Sequence, residues 1–188
     1  RAGEGHALAQ IAPTEAASMG DDAALRDLVL ATQDTVRAAC RRLGSAADAE
    51  DLAQETYLRA MRSLPTYRGE APVRVWLLSI ARHVCADHIR KRSRRAVIDA
   101  RFRSRPRVSL PDERFAVDDL IRSIDPDQAE AFVLTQELGL SYDEAAEMCR
   151  CPVGTIRSRV ARARSSLADL VLAAEAGWDP GAVSHFFT

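Results

Sequence analysis

Residues 138–168 read LGLSYDEAAEMCRCPVGTIRSRVARARSSLA, and this stretch predicts two helices joined by a tight turn. Ser141 and Glu144 have the S-x-x-E spacing of a capping box, which opens a short first helix. Pro152 follows the turn, at a position where a helix accepts proline without losing a hydrogen bond. A longer second helix is expected to run from there to about Leu170. Two helices connected in this way form a helix-turn-helix, whose second helix enters the major groove of DNA.

The second helix separates an apolar face from a face rich in arginine. Four apolar residues recur at helical spacing and are expected to pack inside the domain: Ile156, Val160, Ala163 and Leu167. Arg157, Ser158 and Arg162 share another face, which Arg159 flanks. Residues 153–168 contain no acid, so the four arginines of this helix are unopposed. A solvated amphipathic helix would also turn its arginines outward, but the capping box, turn and arginine face together favour DNA contact.

The rest of the chain also has the pattern of helices. It contains 33 alanines, and few segments alternate polar and apolar residues as strands do. Helices are expected over residues 21–44, 48–64 and 73–92, and helical periodicity resumes near residue 115. Residues 90–107 hold nine basic residues and one acid, which indicates an extended basic linker. We therefore predict an all-α protein with two small helical domains joined by a basic linker. The expected ranges are an arm at 1–20, a first domain at 21–95, a linker at 96–114, a second domain at 115–176 and a tail at 177–188.

The charge of the chain is unevenly distributed. Its 188 residues include 26 Lys+Arg and 27 Asp+Glu, and a formal net charge of −1 by itself argues against a nucleic-acid binder. That balance hides a net charge of +8 over residues 90–107 and four unopposed arginines in the helix after Pro152. No export signal or transmembrane-length apolar stretch is found, and four scattered cysteines form no secreted disulfide framework. We therefore expect a cytoplasmic protein without membrane insertion.

Two blocks of sequence resemble one known family. The string CPVGTIRSRVARAR, residues 151–164, is similar to the second half of the region 4 helix-turn-helix of extracytoplasmic-function (ECF) RNA polymerase sigma factors. The strings DAEDLAQETYLRAMRSL, residues 48–64, and VWLLSIARHVCADHIRKRSRR, residues 75–95, resemble region 2 of the same family. The blocks stand in the family's order, and within it the chain most resembles actinobacterial sigma C-type members. The resemblance implies a protein that directs core RNA polymerase to promoters.

The helix over residues 48–64 has two faces of different character. Its expected inward stripe consists of Ala49, Ala53, Tyr57, Ala60, Met61 and Leu64. The opposite face carries Asp51, Gln54, Glu55, Leu58 and Arg62. In the family a D-x-x-Q-E face of this kind docks on the clamp helices of the polymerase β′ subunit. The resemblance therefore implies that Asp51, Gln54, Glu55 and Leu58 contact core polymerase, where acidic charge supplies steering and register.

The next helix is expected to bury a stripe that includes Val73, Leu77, Ile80, Val84 and His88, with His88 packed and hydrogen-bonded. In the family this helix and the loop before it hold the −10 promoter element as melted single strand, where arginines follow the phosphates. The resemblance implies −10 contacts by Tyr67, Arg68, Trp76, Ser79, Arg82, His83 and Arg90. The family often has asparagine at the position of His83, so this chain departs from the family at a residue that bears on the preferred −10 base.

Region 4 of the family reads the −35 element through the major groove. The resemblance implies that Thr155, Arg157, Ser158, Arg159 and Arg162 make these contacts, with the arginines at guanine edges or phosphates. Many members have a bulky aromatic residue where this chain has Ala161, so an apolar base contact is expected to be absent. The implied partners are core RNA polymerase, through its β′ clamp helices and β flap, promoter DNA, and an anti-sigma factor that some members lack.

Several alternatives follow from the same residues. On a helix, Cys85 lies about 200° and His88 about 140° around the axis from His83, so the three cannot converge on a zinc ion. Cys149 and Cys151 are a redox or metal pair in one interpretation, but small apolar residues belong in such a turn, which favours a structural role. No glycine-rich phosphate loop, nucleophile elbow or H-E-x-x-H motif is present, so we expect neither an enzyme nor a cofactor.

Two other classes of protein share part of this pattern. A response-regulator-like transcription factor would share only the helix-turn-helix, and it has no use for the helices over residues 48–64 and 73–92. An adaptor that inhibits another protein would support no promoter-specific transcription. If no anti-sigma partner exists, a further hypothesis is that the two domains pack together and hide their DNA-binding faces. The basic linker and region 4 would then contact the acidic helices of region 2.

Overall fold

The computed structural model describes residues 22–100 and 113–176, and all regular structure in these ranges is helical. The helices are α1 (Asp22–Leu43), α2 (Ala49–Ser63), α3 (Val73–Ala100), α4 (Glu113–Ser123), α5 (Pro126–Phe132), α6 (Tyr142–Cys149) and α7 (Val153–Ala176). A 3₁₀ turn, Leu64–Thr66, follows α2, and a π-helical turn, Val133–Glu137, follows α5. The prediction of an all-α fold is confirmed. The arm at 1–20 and the tail at 177–188 lie outside the described residues.

Helices α1, α2 and α3 pack into one bundle. Val36 and Cys40 of α1 meet Leu77 and Leu78 of α3 in its centre, and these four residues are at most 1% exposed. Burial of each large aliphatic side chain stabilises the fold by roughly 1.5–3 kcal/mol. Thr56 is also fully buried, and its hydroxyl donates to the carbonyl of Leu52 at 2.7 Å, so no polar atom is left unsatisfied there.

The buried face of α2 differs in part from the predicted stripe. Ala49, Ala53 and Ala60 are buried as expected, but Leu52 and Thr56 are buried with them. Met61 was expected inside and is 43% exposed. Because α2 packs against both α1 and α3, its buried arc centres on Leu52 and Thr56, and Met61 lies outside that arc.

Helix α3 is longer than the sequence pattern predicts. It continues to Ala100, although the expected helix ended at residue 92 and a linker was expected from residue 96. Nothing stops the helix at that point, since residues 93–100 contain neither glycine nor proline. The first residues of the predicted linker are therefore helical, and residues 101–112 lie outside the described part of the chain.

Helices α4 to α7 form the second bundle, which contains the predicted helix-turn-helix. Ser141 accepts a hydrogen bond from the Glu144 amide at 3.2 Å, and its own amide donates to the Glu144 carboxylate at 2.7 Å, so the capping box is confirmed. Arg150 ends α6 in the left-handed region, at φ 53°, which turns the chain sharply into α7. Ile156 and Val160 of α7 are buried as predicted.

Substitution Ser141→Ala removes one half of this capping box. We expect the free energy of unfolding to fall by about 1 kcal/mol, because the Glu144 amide loses its acceptor at the start of α6. Urea-induced unfolding followed by circular dichroism measures the change. Ser165→Ala, at an exposed position within α7, is the matched control and should change stability by less than about 0.5 kcal/mol. Equal destabilisation by both substitutions would contradict the role of the cap.

Candidate nucleic-acid and polymerase interfaces

Two exposed arginines of α7 form neither an ion pair nor a hydrogen bond in the described part of the chain, whereas the exposed Arg164 donates to the side-chain oxygen of Gln136. Arg157 and Arg162 both point to solvent, one helical turn and a half apart. Ser158 is half-buried and its hydroxyl donates to the carbonyl of Thr155 at 2.9 Å. Thr155, Arg157, Ser158 and Arg162 all lie within the first three turns of the helix that follows the turn. Two free guanidinium groups on such a helix can bind guanine edges or phosphates in a major groove.

Arg159 lies apart from this face. Its guanidinium donates to the carboxylate of Asp127 at the start of α5, and a second nitrogen lies 3.9 Å from the sulfur of Cys151. The side chain is only 22% exposed, so it supports α7 against α5 in this arrangement. Sequence spacing could not show this contact, because Asp127 is 32 residues away along the chain.

The two cysteines of the turn have packing roles in the structure. Cys149 is half-buried, and its thiol donates to the Glu130 carboxylate at 3.7 Å. Burial and the neighbouring Glu130 raise the pKa of Cys149 to about 12, so its reactive thiolate form is disfavoured. Within residues 22–100 and 113–176, no three His, Cys, Asp or Glu side chains are grouped as metal ligands. His83 is exposed whereas Cys85 is buried, so these two residues do not converge.

A second candidate surface lies where the loop after α2 meets the start of α3. The rings of Tyr67 and Trp76 pack with their centroids 4.9 Å apart and an angle of 43° between their planes. Arg68 is highly exposed beside them, and His83 and Arg90 are exposed further along α3. Aromatic rings next to arginines are a common arrangement for binding single-stranded nucleic acid.

The other predicted residues of this surface are already engaged. The hydroxyl of Ser79 donates to the carbonyl of Trp76 at 2.7 Å, and His83 donates from Nδ1 to the carbonyl of Ser79 at 2.6 Å. Arg82 was expected on the outward face of α3, but it donates two hydrogen bonds, at 2.7 and 3.1 Å, to Glu130 of α5. This bidentate contact raises the pKa of Arg82 and joins the two domains.

Further contacts across the domain boundary also involve arginine. Arg42, at the end of α1, lies between Asp118 of α4 and Glu137, whose carboxylate is 2.6 Å from its Nε. Arg74 of α3 donates to the main-chain carbonyl of Leu138. Asp118 is only 5% exposed, and buried residues of both bundles form one continuous cluster. The two domains are therefore packed together, but Arg157 and Arg162 stay exposed, so this packing does not hide the DNA-binding face of α7 as the hypothesis of a closed form expects.

Each domain supplies to this contact the charge that was expected from the other domain. The hypothesis placed basic groups of the second domain against acids of the first, but the arginines come from the first domain and the carboxylates from the second. The reason is that the acids of α2 point away from the second domain, whereas Arg42 and Arg82 face it. Residues 101–112 of the predicted linker lie outside the described residues.

The predicted polymerase-binding residues share an exposed face of α2. Asp51 and Gln54 are exposed, Glu55 is half-exposed beside Arg59, and Leu58 is 39% exposed. Met61 extends this face by one turn, so two apolar side chains stand among the acids. The sequence pattern alone predicts a buried Met61, because a methionine within an apolar stripe is usually in the core. Met61 lies three residues after Leu58, and this helical spacing is the sequence signal that both side chains share the exposed face.

His88 does not make the hydrogen bond expected of it. Its Nε2 is buried and lies 3.2 Å from the carboxylate of Asp48, but the two groups are not aligned for a hydrogen bond. Asp48 precedes α2 without capping it through its side chain. The carboxylate instead lies between His88 and Arg92, which tie the start of α2 to α3.

Substitution Glu130→Gln tests the contact that engages Arg82. We expect the packed arrangement to lose about 1–3 kcal/mol, between the values for exposed and buried ion pairs, because Arg82 keeps its charge without a carboxylate. Small-angle scattering should then report a larger radius of gyration for the variant. Glu50→Gln removes an exposed pair with Arg37 inside the first domain and is the matched control. Identical scattering from both variants would show that the Arg82 contact does not hold the domains together.

Sequence comparisons match both domains to described families. The model of sigma-70 region 2 matches residues 28–95, and the model of sigma-70 region 4 matches residues 114–167. The chain is 45% identical over 160 residues to the ECF RNA polymerase sigma factor SigC of Mycobacterium tuberculosis (strain CDC 1551 / Oshkosh), covering 80% of this chain and 85% of that protein. It is 39% identical over 158 residues to the ECF sigma factor EcfG of Rhodopseudomonas palustris (strain TIE-1), covering 78% and 84%.

Two solved structures have a similar fold. CnrH, in complex with the cytosolic domain of CnrY, aligns with a TM-score of 0.72 and 26% identity, covering 88% of this chain and 98% of that chain. The sigma factor RpoE of Bartonella quintana, in complex with the anti-sigma factor NepR, aligns with a TM-score of 0.67 and 28% identity, covering 78% and 95%. Among the described residues, no helix has the length and apolar character needed to cross a membrane.

Proposed function

Because this chain belongs to the ECF family of RNA polymerase sigma factors, we propose that its surfaces divide promoter recognition between its two domains. The protein directs core RNA polymerase to specific promoters. We assign polymerase binding and −10 capture to residues 21–95, and −35 recognition to residues 115–176. The observation that carries this assignment is the capped helix-turn-helix, on whose exposed face Arg157 and Arg162 have no carboxylate partner in the described chain.

In this proposal α7 enters the major groove at the −35 element. Arg157 and Arg162 bind guanine edges or phosphates, and Thr155 and Ser158 contact the neighbouring backbone. Arg159 acts beside them only if its contact with Asp127 opens, because a guanidinium held by a carboxylate is not free to bind a phosphate. Ala161 is exposed and small, so it adds no large apolar contact.

The −10 element is bound as single strand along the start of α3. Tyr67 and Trp76 offer aromatic rings for stacking, Arg68 offers charge to the phosphates, and Arg90 does so once its contact with Asp87 opens. Ser79 and His83 line the same side of the helix. Arg82 joins this set only after Glu130 has withdrawn, so binding of the −10 element requires the two domains to separate.

Core polymerase is bound through the exposed face of α2. Asp51, Gln54 and Glu55 pair with basic groups of the β′ clamp helices, and Leu58 and Met61 add apolar area at the same place. The second domain contacts the β flap. Binding at two separated points favours the open arrangement, because a partner shifts an equilibrium towards the form that it binds better.

We further propose that the packed form is the resting state of the free protein. In that form Arg82 is bound to Glu130, so the free protein presents an incomplete −10 surface. An anti-sigma factor is a proposed partner, since two proteins of similar fold were solved in complexes of that kind or with a cytosolic domain. The protein itself performs no catalysis and acts in the cytoplasm, where polymerase and chromosomal DNA are.

Substitution Arg157→Ala tests the −35 assignment. We expect transcription that depends on the −35 element to fall about tenfold, since a good contact to a base contributes roughly 1–3 kcal/mol. Binding to core polymerase should be unchanged, because Arg157 is not on the α2 face. The measurement is transcription of fragmented genomic DNA by purified core polymerase with the protein added, followed by sequencing of the transcripts.

The matched control is Arg37→Ala, which removes an exposed arginine of the first domain that pairs with Glu50. It should leave transcription and polymerase binding at the wild-type level. Equal loss of polymerase binding and transcription by Arg157→Ala would overturn the −35 assignment. If the wild-type protein supports no promoter-specific transcription, an adaptor role would replace the sigma function.

A further inference from the structure

Four charged side chains form a continuous network of ion pairs between α2 and α3. Glu55 accepts a hydrogen bond from Nε of Arg59 at 2.7 Å. The same guanidinium donates through another nitrogen to Asp87 of α3 at 2.9 Å. The other carboxylate oxygen of Asp87 accepts from Arg90 at 2.6 Å. The order Glu55, Arg59, Asp87, Arg90 therefore alternates in sign and crosses from one helix to the other.

The two central residues are each shared between two partners. The pKa of Asp87 is held at about 2 by its hydrogen bonds to Arg90 and Arg59. The pKa of Arg59 is raised by its hydrogen bonds to Glu55 and Asp87. Asp87 has two carboxylate oxygens and each is engaged by a different arginine, so a stronger bond to one weakens its hold on the other.

The two outer members of this ion-pair network, Glu55 and Arg90, lie on the two proposed binding surfaces. Glu55 belongs to the face of α2 that we assign to core polymerase, and Arg90 belongs to the face of α3 that we assign to the −10 element. Arg59 and Asp87 were not assigned to either surface, and their side chains are about one third exposed. Their contacts are the direct charged connection between these two faces in the described residues.

We propose that Arg59, acting through Asp87, couples the binding of polymerase at Glu55 to the release of Arg90 for the DNA backbone. The proposal rests on the proposed function, because that function places partners at the two ends. A basic group of polymerase pairs with Glu55 and displaces Arg59 from it. The freed nitrogens of Arg59 then engage both oxygens of Asp87. Arg90 loses its partner and is available to a phosphate.

A purely mechanical role for the same contacts would have a different consequence. If the network only fastens α2 to α3, removing any member should lower stability without linking Glu55 to the state of Arg90. The size of the coupling is limited because these side chains are partly exposed to solvent. An exposed ion pair can shift the equilibrium between bound and released Arg90 about two- to fivefold, and this is the expected change in Arg90 release.

The test measures how freely Arg90 reacts with phenylglyoxal, an arginine-specific reagent, using quantitative mass spectrometry of the full chain. The first arm needs no polymerase. Glu55→Gln should raise the reactivity of Arg90 about two- to fivefold, because Arg59 is then free to bind Asp87 alone. Asp51→Asn is the matched control, since it removes an acid from the same face of α2, and it should leave Arg90 unchanged.

Variants of the central residues determine whether the effect passes through them. In Arg59→Gln, adding Glu55→Gln should change nothing at Arg90. Asp87→Asn should make Arg90 highly reactive with or without Glu55→Gln. A melting curve for each variant checks its fold, and Asp87→Asn with Glu55→Gln still decides the question if Arg59→Gln unfolds.

The second arm adds core polymerase. In the wild-type holoenzyme without DNA, Arg90 should react about two- to fivefold faster than in the free chain, and Arg59→Gln should abolish the increase. An unchanged Arg90 in Glu55→Gln, or an equal response to Asp51→Asn, overturns the coupling. If the first arm succeeds and polymerase leaves Arg90 unchanged, the coupling within the chain stands and the assignment of Glu55 to the polymerase interface fails.

Discussion

The contacts of arginine with carboxylate across the domain boundary are the constraint on which the rest of the structure depends. Arg42 lies between Asp118 and Glu137, and Arg82 binds Glu130 with two hydrogen bonds. Such partly buried ion pairs contribute little net stability when both partners are present. Removing one partner is destabilising, because it leaves the other charge partly buried and unpaired. These ion pairs therefore define one arrangement of the domains, which in the proposed function opens when a partner supplies other charges.

Ion pairs across the boundary and within each domain also separate arginines of the proposed DNA-binding surfaces into held and free groups. Arg82, Arg90 and Arg159 are each held by a carboxylate in the free protein. Arg157 and Arg162 are exposed and have no ion-pair partner in the described residues. A sigma factor whose arginines were all free would bind DNA of any sequence through its phosphates. Holding some of them against acids explains how a chain with a net charge of −1 contains strongly basic DNA-binding elements.

Much of the fold and part of the candidate site could be predicted from local sequence. The capping box of Ser141 and the apolar stripe through Ile156 depend on spacing along one helix, so they were visible in the sequence and are confirmed. The partner of Arg82 was not visible, because Glu130 is 48 residues away and belongs to the other domain. Met61 was misplaced for a related reason, since the buried arc of α2 depends on the directions from which α1 and α3 approach it.

The sequence by itself determined which segments are helical, where the helix-turn-helix lies and which protein family the chain resembles. These properties follow from hydrogen bonds and side-chain periods that span only a few residues. Only the tertiary structure decided which arginines are free and which are held, and how the acids of α4 and α5 are used. An ion pair depends on the distance between two side chains in space, and that distance exists only after the helices have packed.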